Sequence, residues 1–365
     1  MFNKIGIIGL GLIGGSIAKK TRKVYPEICI KAMNDRNKAA IKQAIEDGVV
    51  NEEGNTIEDF SDCDLIILCA PVKTNIVYLE KLKDICKEEC IITDVGSVKG
   101  DIHKEVIKLG MEEVFVGGHP MAGSEKSGYE AAKDYLLENA YYIVTKTANS
   151  DNKKVELMEK FAKSLGAIPL ILDATEHDKC VAVISHVPHI VAYSLVKLLK
   201  DNDLMDETMK KIAAGGFKDI TRIASSSPKM WENICMSNSE AINNYLDIFE
   251  GYISEIKNAI KKDNSEVLFN TFTESKNYRD SINSNFRGAI NKSYDLYVDI
   301  LDETGAIATI ATILARKSIS ILNIAIIHNR DFEEGVLKIT FHDEEALEQA
   351  KKILVACDYI IHEKK

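Results

Sequence analysis

The stretch Gly9-Leu10-Gly11-Leu12-Ile13-Gly14-Gly15-Ser16 decides the fold of this chain. It follows the apolar run Lys4–Ile8, which reads as a buried strand, and it opens an amphipathic helix over Leu12–Lys23. The GxGxxG spacing has a mechanical reason. Gly9 permits a tight turn, Gly11 lets a pyrophosphate approach the backbone, and Gly14 lets helix and strand pack closely. The helix N-terminus then points unpaired N–H groups and a positive dipole end at the phosphates. Asp35 closes the second strand about 24 residues past Gly11, where a carboxylate accepts hydrogen bonds from an adenosine ribose. Arg36 beside it can pair with a 2′-phosphate, so the residues favour NAD and leave NADP open. Gly9, Gly11, Leu12, Ile13, Gly14, Asp35 and Arg36, with Ala70 and Pro71, are the candidate cofactor residues.

Outward from this motif, short apolar runs alternate with amphipathic helices. Strands are expected at Ile28–Met33, Asp64–Ala70, Cys90–Asp94, Val114–Val116, Tyr141–Thr145 and Ile168–Leu172. Helices are expected at Asn37–Asp47, Lys73–Cys86, Lys99–Leu109 and Asn152–Leu165. That alternation implies a largely parallel, doubly wound α/β sheet of the Rossmann type over residues 1–173. From 174 to 284 the strand signal vanishes. Helices are expected at Glu176–Lys200, Asp206–Ala214, Met230–Cys235 and Ser239–Lys261, an all-helical second domain. The last carries Ile242, Leu246, Phe249, Ile253, Ile256 and Ile260 at helical spacing, an apolar stripe that suits a subunit core or a dimer interface equally. Asn283–Lys292 reads as a linker. Residues 294–365 then follow a strand–helix–strand–strand–helix–strand order: Tyr294–Leu301, Ala306–Lys317, Ile319–His328, Gly335–Phe341, Glu344–Ala356 and Asp358–His362. This is a ferredoxin-like βαββαβ module.

Composition narrows the function classes. The 365 residues are 45% hydrophobic and 28% charged, with a formal net charge of −10, which argues against a nucleic-acid binder needing a basic face. No apolar run approaches a membrane span, and no signal-peptide pattern opens the chain. Cys29, Cys63, Cys69, Cys86, Cys90, Cys180, Cys235 and Cys357 form no CxxC pair, the usage of reduced, structural thiols in a cytoplasmic protein.

Four segments carry unusual polar density. Gly118-His119-Pro120-Met121-Ala122-Gly123-Ser124-Glu125-Lys126-Ser127-Gly128 reads as a polar, tightly turned loop holding one imidazole, which suits proton transfer near neutral pH. Asp94-Val95-Gly96-Ser97-Val98-Lys99-Gly100 closes a strand where α/β ligands sit, so Ser97 either faces the nicotinamide end or N-caps the next helix. Ser185-His186-Val187-Pro188-His189 puts two histidines at i, i+3, but no third ligand is at hand and no metal is expected. Pro188 there implies a kink or a helix start. Gly215-Gly216 is expected to end one helix before a short turn that sets Asp219 and Arg222 at i, i+3. The pair is either a surface ion pair or a guanidinium fork for a carboxylate. Trp231, the single Trp, walls a pocket or packs in the core.

Taken in order, GLGLIGGS, DVGSVKG, GGHPMAGSEKSG, EHDKCVAVISHVPH and AAGGFKDITRIASSSPKMW closely resemble the prephenate dehydrogenase family of tyrosine biosynthesis, over residues 1 to about 280. The final module resembles an ACT domain, a regulatory fold that often binds amino acids. Its ligand-binding turn would be Asp302-Glu303-Thr304-Gly305, where many relatives have Pro in place of Thr304. The resemblance implies oxidative decarboxylation of prephenate to 4-hydroxyphenylpyruvate with hydride transfer to NAD. His119 would be the base, at the ordinary histidine pKa, and Ser97 would position substrate and nicotinamide. Arg222 and His189 would hold the two ends of the substrate, while Ser185, Asp219, Glu125 and Trp231 orient or wall it. It also implies a homodimer, with tyrosine as effector. Arogenate or dual-specificity cyclohexadienyl dehydrogenases are the alternative within the class. A regulatory protein without chemistry would have no use for His119, Ser97, His189 and Arg222 together. Another β-hydroxyacid dehydrogenase would carry a catalytic Lys on the helical domain, which Lys179 and Lys218 do not clearly supply.

Overall fold

In the computed structural model, which describes residues 2–34, 37–123, 126–285, 294–300, 304–327 and 335–362, the chain divides into two compact units, Met1–Phe272 and Thr273–Lys365. The first unit begins β1 (Lys4–Ile8), α1 (Leu12–Val24), β2 (Cys29–Met33), α2 (Lys38–Glu46), β3 (Glu52–Glu53), β4 (Leu65–Leu68), α3 (Val72–Leu82) and β5 (Ile91–Asp94). Strands β1, β4 and β5 are covered on both faces, which is why they read as unbroken apolar runs. The sheet order is β3-β2-β1-β4-β5, every pair parallel. The order reverses between β1 and β4, and the turns that leave their carboxyl ends hold Gly9–Gly11 and Ala70–Pro71. That crevice is where doubly wound sheets take ligands.

The chain continues through α4 (Gly100–Leu109), β6 (Gly117–Pro120), β7 (Tyr141–Lys146), α5 (Asn152–Ser164) and β8 (Ile168–Asp173), and the three strands form a second sheet. A parallel bridge between Ile92 and Phe115 joins β5 to the segment entering β6; β6 runs antiparallel to β7, and β7 parallel to β8. His119 therefore lies on a buried strand, not in a turned loop as its neighbours suggested, and the expected strand at Val114–Val116 begins three residues later. Close packing explains the glycines. A Cβ on Gly117 would come within 2.8 Å of His103 Nε2, so the missing side chains let strand and α4 approach. Ser124 and Glu125, beyond this strand, lie outside the described residues.

A run of helices completes the first unit: α6 (Ala174–Val181), a π-helical turn (Ala182–His186), α7 (Val187–Asn202), α8 (Thr208–Ile212), α9 (Gly215–Thr221), a 3-10 turn (Arg222–Ser225), α10 (Pro228–Ser237) and α11 (Ser239–Lys261). The single helix expected at Glu176–Lys200 is thus broken by the π turn, placed immediately before Pro188, whose missing N–H forbids regular α pairing there. Gly215 and Gly216 start α9 rather than ending its predecessor. Helix α12 (Ser265–Asn285) occupies a stretch the sequence reading left without an element, and it takes the first residues of the expected linker. The remainder of that linker, and Asp302 and Glu303, lie outside the described residues. Residues 174–202 are also long and apolar enough for a bilayer span, yet they bury His177 and Asp178 against the sheet-bearing half. The α11 stripe is buried at Ile242 but leaves Ile253 and Ile260 50% and 62% exposed.

The second unit contains β9 (Tyr294–Ile300), α13 (Ala306–Ala315), β10 (Ile321–Ile327), β11 (Gly335–Phe341), α14 (Glu344–Ala356) and β12 (Ile361–His362). Its antiparallel sheet has the order β10-β11-β9-β12 and packs Leu296, Val298, Leu337, Ile339 and Phe341 against Ile310 and Leu354 of the two helices. This is the expected βαββαβ arrangement, with a shorter final strand.

Candidate active site

The glycine turn is held open by its neighbours. Asn34 Nδ2 donates to the Leu10 carbonyl at 3.2 Å, and buried Asn75 accepts from Ala70 N at 3.2 Å while donating to the Leu68 carbonyl. Gly9 sits at φ +102°, a conformation that favours glycine. A Cβ on Gly14 would collide with the Gly9 carbonyl oxygen, whereas a Cβ on Gly11 would meet no heavy atom within 4 Å among the described residues. Gly14 is thus required by the fold, and Gly11 faces open space beside the uncapped N-terminus of α1, whose first turn carries no acidic residue. A dinucleotide pyrophosphate fits that cradle. Leu12 and Ile13 open the helix. Asp35 and Arg36 lie outside the described residues.

Beyond β5, β6 carries His119, only 9% exposed. Its Nδ1 stands 2.8 Å from Nε2 of His177 on α6, and His177 Nδ1 stands 2.7 Å from Asp178 Oδ1. Burial pushes the His119 pKa well below the ordinary histidine value, and the charges of His177, Lys99 and His186 add to the shift. The sequence reading assumed the ordinary value, because burial cannot be seen from a Gly- and Pro-rich string.

Beneath this strand Lys99 is fully buried, its Nζ donating to the Asp94 carboxylate and, at 2.7 Å, to the Gly118 carbonyl. Burial lowers the Lys99 pKa, against the opposing pull of Asp94. Ser97 is half-buried on the same loop. It is not the N-cap of α4: the helix begins at Gly100, and the Asp178 carboxylate accepts from Lys99 N at 2.8 Å and Gly100 N at 2.7 Å in its place.

The helices supply the far wall. His189 Nδ1 donates to the Ser185 carbonyl at 2.9 Å, so its Nε2 is left as an acceptor; Ser185 takes part here through its backbone. The His189 ring stacks on Trp231 with centroids 3.7 Å apart, and Trp231 also meets His186 edge-on at 6.0 Å. Trp231 is buried, and its Nε1 has no hydrogen-bond partner among the described residues. Burial lowers the His189 pKa and the nearby Arg222 guanidinium lowers it further. Arg222 opens the 3-10 turn, which Tyr193 anchors by donating to the Ser226 carbonyl at 3.1 Å. Asp219 lies on the exposed face of α9.

The structure thus links His119 through His177 and Asp178 to Lys99 on the Ser97 loop, and stacks His189 on Trp231 with Arg222 near His189. It adds residues the sequence reading passed over: His177, Asp178, Lys99 and Asn238. Asn238 Nδ2 donates to the Asp178 carbonyl at 2.8 Å and lies 3.2 Å from His186 Nδ1. A signal was present, since His177-Asp178 falls inside the quoted EHDKCVAVISHVPH stretch, but neither residue is glycine-flanked or isolated on a loop.

Comparison with known proteins gives a consistent result. Residues 17–169 match the prephenate dehydrogenase nucleotide-binding domain, and residues 173–274 match the prephenate dehydrogenase dimerization domain. The chain is 39% identical over 361 residues to the prephenate dehydrogenase of Bacillus subtilis, covering 98% of this chain and 96% of that protein. Among solved structures, A. aeolicus prephenate dehydrogenase in complex with hydroxyphenyl propionate and NAD+ superposes with a TM-score of 0.73 at 35% identity, covering 77% of this chain and 99% of that one. Synechocystis arogenate dehydrogenase superposes with a TM-score of 0.68 at 28% identity, covering 76% and 99%.

Proposed function

The chain belongs to the prephenate dehydrogenase family, and from that premise we infer that it is an NAD-dependent enzyme that oxidatively decarboxylates prephenate to 4-hydroxyphenylpyruvate. The observation that carries the reading is the buried His119, held by His177, in a chain whose glycine turn is shaped for a pyrophosphate. When bound, NAD accepts the hydride from the hydroxyl-bearing ring carbon. Gly9, Gly11, Gly14, Leu12 and Ile13 would hold its pyrophosphate, with Ala70 and Pro71 beside it and Asp35 and Arg36 toward the ribose.

His119 is the base. Its Nδ1 is engaged by His177, so Nε2 takes the substrate hydroxyl proton. The ring carboxylate leaves as CO2, its bond electrons close the aromatic ring, and the same Nε2 returns the proton to the phenolate oxygen. Atoms and charge then balance without any metal. Ser97 positions the substrate hydroxyl on the cofactor side. Arg222 binds one carboxylate as a planar fork and His189 holds the other end, its ring fixed by Trp231 and the Ser185 carbonyl. Asp219 and Glu125 orient or gate the entrance.

The partly exposed stripe of α11 supports a homodimer through the helical region. Eight unpaired cysteines fit a cytoplasmic enzyme. The βαββαβ unit supports an ACT regulatory domain with tyrosine as effector, received near Thr304 and Gly305. One experiment tests the set: initial rates of NADH formation with prephenate and with arogenate, each with NAD and NADP, with and without tyrosine. Turnover of prephenate with NAD is expected. Preference for arogenate would replace the substrate, and turnover indifferent to tyrosine would remove the effector.

A further inference from the structure

We propose that Asp178 is a positioning residue for the base: acting through His177, it fixes which nitrogen of His119 carries hydrogen, and it ties that setting to the cofactor-side loop. The inference rests on His119 being the base. Both Asp178 oxygens are acceptors, Oδ1 from Lys99 N at 2.8 Å and Oδ2 from Gly100 N at 2.7 Å. A carboxylate so engaged has no hydrogen to give, so His177 Nδ1, 2.7 Å from Oδ1, is the donor of that contact. A His177 ring that carries this one hydrogen keeps its lone pair on Nε2. His119 Nδ1, 2.8 Å away, must donate to it. The remaining nitrogen of His119, Nε2, is thereby left bare and able to accept a proton.

The opposite tautomer of His119 would set two ring lone pairs against each other. His177 is fully buried and His119 nearly so, so water cannot compensate the lost hydrogen bond. While His119 holds the substrate proton, its positive charge faces a ring backed by the Asp178 carboxylate. This is the arrangement by which a buried carboxylate orients and stabilises a general-base imidazole elsewhere. The other charged or titratable groups around the relay are Lys99 with Asp94 beneath β6, His103 on α4, and His186 at the π turn.

Asp178 also does a second task with the same atoms. Lys99 N and Gly100 N open α4, two and three residues beyond Ser97, so the carboxylate caps the helix that follows the Ser97 loop. A residue of the helical half thus holds the proton acceptor and the cofactor-side loop in one register. Asn238, the residue between α10 and α11, braces the arrangement by donating to the Asp178 carbonyl.

The test uses the full chain labelled with 15N-histidine, its ring signals assigned by His119→Asn and His177→Gln, together with initial rates. In the unsubstituted enzyme with NAD bound, His119 is expected to carry its hydrogen on Nδ1. Asp178→Asn should lose that single tautomer and lower kcat by about 10²–10⁴-fold, with the prephenate KM changed far less. His177→Gln offers an amide oxygen to His119 Nδ1, so it should restore the tautomer and keep most of the turnover that His177→Leu loses. Hydrogen on Nε2 of His119 in the unsubstituted enzyme overturns the proposal, as does an Asp178→Asn enzyme with unchanged tautomer and kcat. If Asp178→Asn fails to fold, the unsubstituted spectrum and the Gln–Leu pair at His177 still decide. Unchanged turnover in His119→Asn would overturn the base reading and leave the His119–His177 tautomer result standing.

Discussion

His119 Nδ1 and His177 Nε2 stand 2.8 Å apart and join a strand of the sheet-bearing half to the first helix of the helical half. The contact turns a lone histidine into one with a fixed orientation. Substituting Asn at 119 keeps a polar side chain but removes the proton acceptor. Turnover should fall by about 10²–10⁴-fold, the contribution of a positioned general base, with NAD affinity little altered. Rapid-mix and steady-state rates check this, and a folded variant with near-normal kcat would take His119 out of the chemistry.

The pH profile should show the burial of the same residue. Burial first, then the charges of His177, Lys99 and His186, hold the His119 pKa well below 6.5 in the free protein. The acid limb of kcat/KM, which reports the free enzyme, is therefore expected well below pH 6.5. Prephenate brings two carboxylates into the cleft, and negative charge favours the protonated imidazole. The acid limb of kcat should accordingly lie at higher pH than that of kcat/KM. Coincident limbs near 6.5 would show that His119 is solvated in solution.

Arg222→Ala should act chiefly on binding. A guanidinium–carboxylate contact contributes about 1.5–3 kcal/mol, so the prephenate KM is expected to rise by roughly 10–150-fold with kcat changed much less. Arg222→Lys should fall between, because an ammonium retains charge without the planar fork. A prephenate KM unmoved in the Ala variant would assign the carboxylate to other groups.

How much of this was legible follows from what each signal depends on. The glycine turn, the alternating strands and helices, and the C-terminal βαββαβ order depend on local spacing, and Ser239–Lys261, Gly335–Phe341 and Glu344–Ala356 come out to the residue. His119 stood out as a residue, but its strand did not: Gly118 read as the start of a turned loop, although Gly117 and Gly118 are small because His103 and Asp94 press against that strand. Asp178 was hidden for a related reason. Its role is to cap a helix that begins 78 residues earlier in the chain, at Gly100, a relation no local pattern encodes. The π turn escaped as well, since a helical run with one proline reads as a kink wherever the compensating wide turn falls.

Acid stability gives an independent measure of the buried histidines. His103, bonded to Thr145 Oγ1 at 2.8 Å, is pushed down to about 4 by burial first and by Lys99, and His186 is pushed down to about 4 by burial first. Both have lower pKa values folded than unfolded, so the unfolded chain binds more protons below pH 6.5. The stability from keeping them neutral is fully present above that pH and is lost as the pH falls toward 4, by roughly 3 kcal/mol per residue. Urea midpoints measured from pH 7 to 4.5 should decline, and His103→Gln should decline less steeply. Parallel curves would mean that His103 titrates alike in both states.

The glycine turn allows the sharpest separation of fold from function. Gly11 and Gly14 belong to one motif, but a Cβ at Gly14 runs into the Gly9 carbonyl, whereas at Gly11 it meets no described atom within 4 Å. Gly14→Ala should therefore lower the thermal midpoint, because backbone must shift where α1 crosses the turn. Gly11→Ala should lower the midpoint of the free protein much less, since its Cβ meets no described atom and only the poorer N-cap, about 1 kcal/mol, is lost. Its effect should fall on the dinucleotide, whose pyrophosphate needs the space the methyl group takes, and NAD affinity should drop by about tenfold or more. Calorimetry with and without NAD reads both quantities on the same samples. A Gly11→Ala protein that binds NAD normally would move the pyrophosphate away from the α1 N-terminus, and with it the reason for the motif.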